Sequence, residues 1–181
     1  MALRRSQMFL QEHELVETVD AKGKIHRRYV YRGDVNERRI TDGQRRAERY
    51  ADVLTALLAG TLAVLAAVQR TPVNARGFFA VLSMLNMVPV LCVLMGAGAS
   101  FFQTGRLTRS EHDERRLLLR AMPLASVAFL LILAVGYAVH GAWLAFGAAL
   151  GAAALYAAMG VHECKVKFIV HPGTAPSGEE E

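Results

Sequence analysis

The sequence predicts an all-α membrane protein: four transmembrane helices arranged as two antiparallel hairpins, with a small N-terminal cytosolic β-hairpin. Three observations support this fold class. Residues 51–161 are almost entirely apolar, and a single charged stretch, residues 103–120, interrupts them. Two apolar segments lie on each side of that stretch, and a much shorter break separates the members of each pair. Each segment has about the length that a helix needs to cross a bilayer.

The composition fits one unit of 181 residues, of which 53% are hydrophobic and 20% charged. The charges concentrate in residues 1–50, in the central stretch and near the C-terminus. The net charge of +5 is explained by basic residues that flank the spans and meet anionic lipids, so membrane lipids are expected partners. No basic face with interleaved aromatic residues exists, so we expect no nucleic-acid partner.

Residues 1–40 are predicted to form a cytosolic N-terminal region. The two arginines near the start are not followed by the apolar segment of a secretory signal. Residues 14–32 contain two β-rich runs around a polar turn, with Gly23 available for a positive φ, which indicates a β-hairpin. We expect this hairpin to be simply solvated; the alternative is a docking edge for another protein.

The transmembrane region is predicted to cover residues 41–162. Thr41 and Gln44 fit a capping box, which should start a helix that runs into the first span. The predicted spans are listed here in chain order: residues 51–69, 78–102, 122–139 and 142–162. Only His140 and Gly141 separate the last two spans, so these should be antiparallel neighbours. Ser110 is expected to cap a helix that leads into the third span.

Residues 163–181 are predicted to hold a short strand followed by a disordered tail. The run KVKFIV at 165–170 is β-prone, with Val166, Phe168 and Val170 at alternating positions, whereas the following residues are rich in Pro, Gly, Ser and Glu. An isolated two-stranded hairpin is marginal in water. We therefore expect the C-terminal strand to pair with, or pack on, the N-terminal hairpin.

The distribution of Lys and Arg predicts the orientation of the spans. Two basic residues, Arg70 and Arg76, lie on one side. Twelve lie on the other: Arg38, Arg39, Arg45, Arg46, Arg49, Arg106, Arg109, Arg115, Arg116, Arg120, Lys165 and Lys167. Both termini should therefore be cytoplasmic, in a multi-pass protein of a bacterial cell membrane.

Asn86 is the most polar residue in any predicted span, and Ser83 lies one turn earlier on the same helical face. We expect Asn86 to form an interhelical hydrogen bond. The alternative is that Ser83 and Asn86 together form a polar intramembrane face that lines a substrate path.

Gly147 and Gly151 form a GxxxG motif in the fourth span, and Ala59, Ala63 and Ala67 repeat at the same spacing in the first. Small residues let helices approach closely in lipid. The motif predicts a helix-packing contact, and the sequence leaves open whether it forms within one chain or between two.

No catalytic, cofactor-binding or metal-binding residue is predicted. Residues 53–68, 78–102 and 124–139 contain no ionisable side chain apart from one cysteine and one tyrosine, which disfavours a proton-coupled antiporter. Residues 111–114 and 162–164 contain His, carboxylate and thiol groups, but neither cluster has the spacing of a known metal site.

These features favour a non-catalytic accessory, assembly or regulatory subunit of a membrane complex over an enzyme. A bundle without charges in its middle can hold a partner but offers few groups for catalysis. The alternative is a small permease or channel component that acts as a homo-oligomer around Ser83 and Asn86. The expected protein partner is accordingly another membrane protein or further copies of this chain.

Overall fold

A computed structural model describes residues 13–19, 25–31, 33–38, 42–102 and 106–171 of the chain. Three features predicted from the sequence lie outside these residues: the turn at Gly23, the capping box at Thr41 and the C-terminal tail.

The described chain is mostly helical. Four helices account for this content: α1 (Asp42–Val68), α2 (Gly77–Phe102), α3 (Arg109–Val139) and α4 (Trp143–Lys165). Each is long and apolar enough to cross a membrane. Even α4, with 23 residues, spans about 34 Å at 1.5 Å per residue, which exceeds a hydrocarbon core of about 30 Å. The prediction of four helices that are long and apolar enough to span a membrane is confirmed, and this result is consistent with a multi-pass membrane protein.

The third helix changes its winding part of the way along. It is α-helical at Arg109–Arg116, π-helical at Leu117–Ala121 and α-helical again at Met122–Val139. Pro123 explains the change, because proline has no N–H and its ring crowds the carbonyl four residues earlier. The wider turn relieves this crowding, and the Met122 N–H bonds to the Leu117 carbonyl instead.

The helices pack as a ring in the order α1, α2, α3, α4, and α4 closes the ring against α1. Small residues dominate the contact between α1 and α4. Those of α1 are Ala56, Ala59, Ala63 and Ala66; those of α4 are Ala145, Ala149, Ala152 and Ala153, and all eight are buried. Because lipid tails are as apolar as leucine, association in the bilayer depends on such close packing.

A three-stranded antiparallel sheet lies at one end of the bundle. Its central strand is β3 (Val35–Arg38), flanked by β4 (Arg106–Thr108) and β5 (Phe168–His171). β3 precedes α1, β4 precedes α3 and β5 follows α4. The sheet therefore holds the N-terminal ends of α1 and α3 and the C-terminal end of α4 on the same side of the bundle.

A separate two-stranded sheet precedes these elements. β1 (His13–Val19) pairs antiparallel with β2 (Ile25–Tyr31), and Leu15 lies opposite Tyr29. The predicted strand pairing with this hairpin was wrong, because β5 pairs with β3. The helices explain the difference: β3 and β5 are attached to α1 and α4, which pack together and bring the two strands side by side.

The start of α3 also corrects a prediction. Thr108, not Ser110, is the N-cap residue. The Thr108 hydroxyl accepts a hydrogen bond from the Glu111 N–H at 3.4 Å, and the Glu111 carboxylate accepts one from the Thr108 N–H at 2.8 Å. This reciprocal pair is a capping box, a motif whose two residues are three positions apart, as Thr108 and Glu111 are.

A tight turn joins α3 to α4. Gly141 adopts a positive φ of 70°, a conformation that costs glycine little. The Ala142 N–H then bonds to the Tyr137 carbonyl at 2.9 Å, which closes the end of α3.

Candidate functional site

A buried cluster of three charged residues lies at the end of the bundle that carries the three-stranded sheet. The Arg115 Nη2 atom is 3.0 Å from Glu163 Oε1 and 3.6 Å from Asp52 Oδ2. The three side chains keep only 6–8% of their accessible surface. Since Asp52 belongs to α1, Arg115 to α3 and Glu163 to α4, a single guanidinium connects three of the four helices.

The charges of this cluster depend on one another. Removing an ion from water costs several kcal/mol, which only good geometry and an opposite charge offset. Two carboxylates face one guanidinium, so Arg115 has nearby negative charge on two helices. The bond to Glu163 is short enough to be a charge-assisted hydrogen bond, whereas the contact with Asp52 is a longer electrostatic one.

Sequence reasoning missed this cluster. Asp52 lies immediately before the stretch whose lack of ionisable groups was noted, and Arg115 was counted only toward membrane orientation. Charged residues at the ends of spans are ordinary, and no local pattern connects positions so far apart. The sequence offered one signal. Asp52 follows the arginines at the start of the first helix, and Arg115 and Arg116 lie near the start of the third helix.

A cavity of about 220 Å³ lies beside the cluster. Its wall combines cationic, sulfur-containing and apolar side chains: His112, Arg115, Arg116, Arg120, Glu163, Cys164, Val166 and Phe168. The rings of His112 and Phe168 meet edge to face with centroids 4.6 Å apart, so β5 covers one side of the cavity. We name this space the arginine cavity.

Asn86 lies in the interior of the bundle, where it is 1% exposed. The hydroxyl of Ser126 on α3 donates a hydrogen bond of 2.8 Å to Asn86 Oδ1 on α2. Ser126 is fully buried as well. The two side chains therefore connect neighbouring helices through a polar contact surrounded by apolar residues.

Ser83, the second residue of the predicted polar face, is also buried but does not share this contact. Its hydroxyl makes no hydrogen bond of ordinary geometry, although it lies near enough to interact with the phenol of Tyr137. Ser83 also borders a cavity of about 340 Å³ between α1 and α2, whose wall is mainly apolar.

Asn74 and Tyr137 form a polar group at the opposite end of the bundle. The Asn74 amide nitrogen lies 3.0, 3.0 and 2.8 Å from the carbonyls of Ala66, Ala67 and Gln69. These carbonyls terminate α1 and have no partner within the helix. The Tyr137 hydroxyl lies 2.7 Å from Asn74 Oδ1, so α3 supports the cap. This pair was not predicted, although the C-terminal end of every helix has carbonyls that need such donors.

The two glycines of the GxxxG motif have different surroundings. A Cβ atom added to Gly151 would lie 3.3 Å from Leu62 Cδ1 of α1, whereas one added to Gly147 would meet nothing within 4 Å. Gly151 thus packs within the chain, and Gly147 is exposed. Of the alanines in the first span, Ala59 and Ala63 are buried and Ala67 is partly exposed.

The two clusters with potential metal ligands come close to each other at the arginine cavity. His112 and Cys164 both line it, but Arg115 holds Glu163, and His112 lies 3.5 Å from the neighbouring Asp113. Within the parts of the chain that the structure describes, His, Cys, Asp and Glu side chains form no group of three or more that would hold a metal.

By their length and composition, the four apolar helices are consistent with a multi-pass membrane protein. No family model, no curated protein and no solved structure matches it.

Proposed function

We propose that this chain is a non-catalytic accessory, assembly or regulatory subunit of a membrane complex. It would lie in a bacterial cell membrane as two antiparallel helical hairpins, with both termini and the N-terminal β-hairpin in the cytoplasm. Membrane lipids and a second membrane protein would be its partners.

The observation that carries this proposal is the hydrogen bond between Ser126 and Asn86. A transported polar solute needs side chains that exchange their bonds for contacts with the solute. Here the most polar residue of the spans is already bonded to a neighbouring helix and is 1% exposed. Such a bond stabilises one arrangement of the helices, as expected of a scaffold.

The three-stranded sheet supports the proposed orientation. Because β3, β4 and β5 pair, the segments before α1, before α3 and after α4 lie on one side. These segments and the helix ends next to them carry twelve of the basic residues flanking the spans, whereas Arg70 and Arg76 lie at the other end. An excess of Lys and Arg marks the cytoplasmic side of a membrane protein.

Ser83 favours a second candidate function, a small permease or channel component that acts as a homo-oligomer. Ser83 lines the cavity between α1 and α2, which Asn74 also lines. If several copies associated along this side, Ser83 would contribute a polar group to a shared interior. This candidate depends on an association of copies along this side, so we place it second.

Purification from the native membrane in mild detergent, followed by native mass spectrometry, tests the two candidates. For an accessory subunit we expect a stoichiometric complex with one different polypeptide, which an unrelated four-helix membrane protein with the same tag does not capture. A homo-oligomer alone, together with solute flux after reconstitution in liposomes, would contradict the proposal and support the permease.

A further inference from the structure

The π-helical turn of α3 brings three arginines to one wall of the arginine cavity. In a regular α-helix, residues five apart lie about 140° apart around the axis, so Arg115 and Arg120 would face different directions. A turn closed by an i to i+5 hydrogen bond places such residues closer to one face. Arg115, Arg116 and Arg120 accordingly all line the cavity.

The charges of these arginines are compensated unequally. Arg115 is held by Glu163 and Asp52. Neither Arg116 nor Arg120 forms an ion pair with any residue that the structure describes. Among the residues that the structure describes, Glu163 is the one acidic residue of the cavity wall, and it already faces Arg115. The wall therefore offers two cations with no acidic partner among the described residues, which favours an anion.

The size and position of the cavity narrow the choice of anion. At about 220 Å³ it is smaller than the roughly 300–1,000 Å³ that hold drug-sized ligands, so it suits a single headgroup. It lies where α3 enters and α4 leaves the apolar region. If the chain spans a membrane as proposed above, this position is close to the lipid headgroups. Val166 and Phe168 add an apolar edge, and His112 adds a possible hydrogen-bond donor.

We propose that the arginine cavity binds the phosphate group of an anionic phospholipid through Arg116 and Arg120. Guanidinium groups match phosphate oxygens in paired geometry. The basic side of the chain is also the side on which anionic lipids attract arginine. The same phosphate chemistry would admit inorganic phosphate, and the experiment separates these two sources.

The test measures the thermal unfolding midpoint of the full chain in neutral detergent micelles during three separate titrations. The probes are phosphatidylglycerol, phosphatidylcholine and inorganic phosphate. We expect phosphatidylglycerol to raise the midpoint in a saturable manner and phosphatidylcholine to have little effect. Removing two cations should weaken the apparent affinity for phosphatidylglycerol by about tenfold or more in the double variant Arg116→Gln, Arg120→Gln.

Arg46→Gln is the matched control, because Arg46 is an exposed arginine at the same end of the bundle and does not line the cavity. It should change the apparent affinity less than twofold. An equal loss in this control, or an unchanged response in the double variant, would refute the site. If the double variant fails to fold, Arg116→Gln alone provides the comparison, since Arg116 is exposed.

Inorganic phosphate distinguishes the source of the anion. Little protection by phosphate at concentrations that exceed those of the lipid supports a lipid headgroup. Protection by phosphate that depends on Arg116 and Arg120, with no further gain from phosphatidylglycerol, would overturn the lipid assignment and leave a soluble phosphate as the occupant.

Discussion

The guanidinium of Arg115 lies 3.0 Å from the carboxylate of Glu163, which is 48 residues later in the chain, and more than nine-tenths of each side chain is buried. The bond closes the end of the bundle at which α3 enters and α4 leaves. Asp52 approaches the same guanidinium from α1. The charged cluster and the alanine contact below it therefore hold α1 and α4 together by different physical means.

Substitutions in this cluster should destabilise the protein in a defined order. Arg115→Gln leaves two buried carboxylates without their cation and should cost about 3–5 kcal/mol. Glu163→Gln removes the short bond but leaves Arg115 opposite Asp52, so its cost should be smaller. Asp52→Asn weakens the longer contact with Arg115 and should cost least. Unfolding in detergent, with Arg46→Gln as an exposed control, measures this order, and a larger effect of Asp52→Asn would contradict it.

The contact between Ser126 and Asn86 should contribute modestly to stability. Ser126→Ala and Asn86→Leu should each change the free energy of unfolding by about 1 kcal/mol, and the double variant should lose less than the sum because the contact is shared. Solute flux in proteoliposomes should be absent for the parent and for both variants. Flux in the parent that Asn86→Leu selectively abolishes would disprove the accessory role.

The two motif glycines provide a matched pair. Gly151→Leu should destabilise the chain by about 1–3 kcal/mol, because the new side chain must displace Leu62 of α1. Gly147→Leu should change stability by less than about 0.5 kcal/mol. Unfolding measures both, and size measurements in detergent accompany it. If Gly147→Leu instead splits an oligomer, the motif contacts a second chain at Gly147.

Reporter fusions test the orientation. Reporters placed after Asn74 or after Gly141 should indicate the exterior, and those placed after Ser110 or after Gly173 should indicate the cytoplasm, as the excess of basic residues requires. Activity of an exterior reporter at Ser110 would reverse the arrangement. It would also place the arginine cavity in the opposite leaflet.

The helices were predictable because their signal is local. An apolar run of sufficient length specifies a span by itself, and the two residues His140 and Gly141 between long runs specify a tight turn. Asn86 was also recognisable, since a carboxamide inside an apolar run needs a partner. Its partner, Ser126, was not, because a single serine in a span has no distinctive pattern.

The sheet and the charged cluster were not predictable, because they depend on contacts between distant parts of the chain. The segment Val35–Arg38 has four residues of mixed character and becomes a central strand only when α1, α3 and α4 bring β4 and β5 beside it. Likewise, Asp52, Arg115 and Glu163 each resemble an ordinary charge at the end of a span. Their pairing depends on the packing of three helices.

The order of the strands in the chain has a consequence for biosynthesis. β3 is made before any of the four spans, yet its partners are β4, made midway, and β5, which follows the last span. The ribosome synthesises the N-terminal part first. β3 therefore lacks its partner β5 until more than a hundred further residues have been translated. The sheet can therefore be complete only after all four helices have been synthesised. A chain truncated before β5 would leave one edge of β3 exposed to other strands.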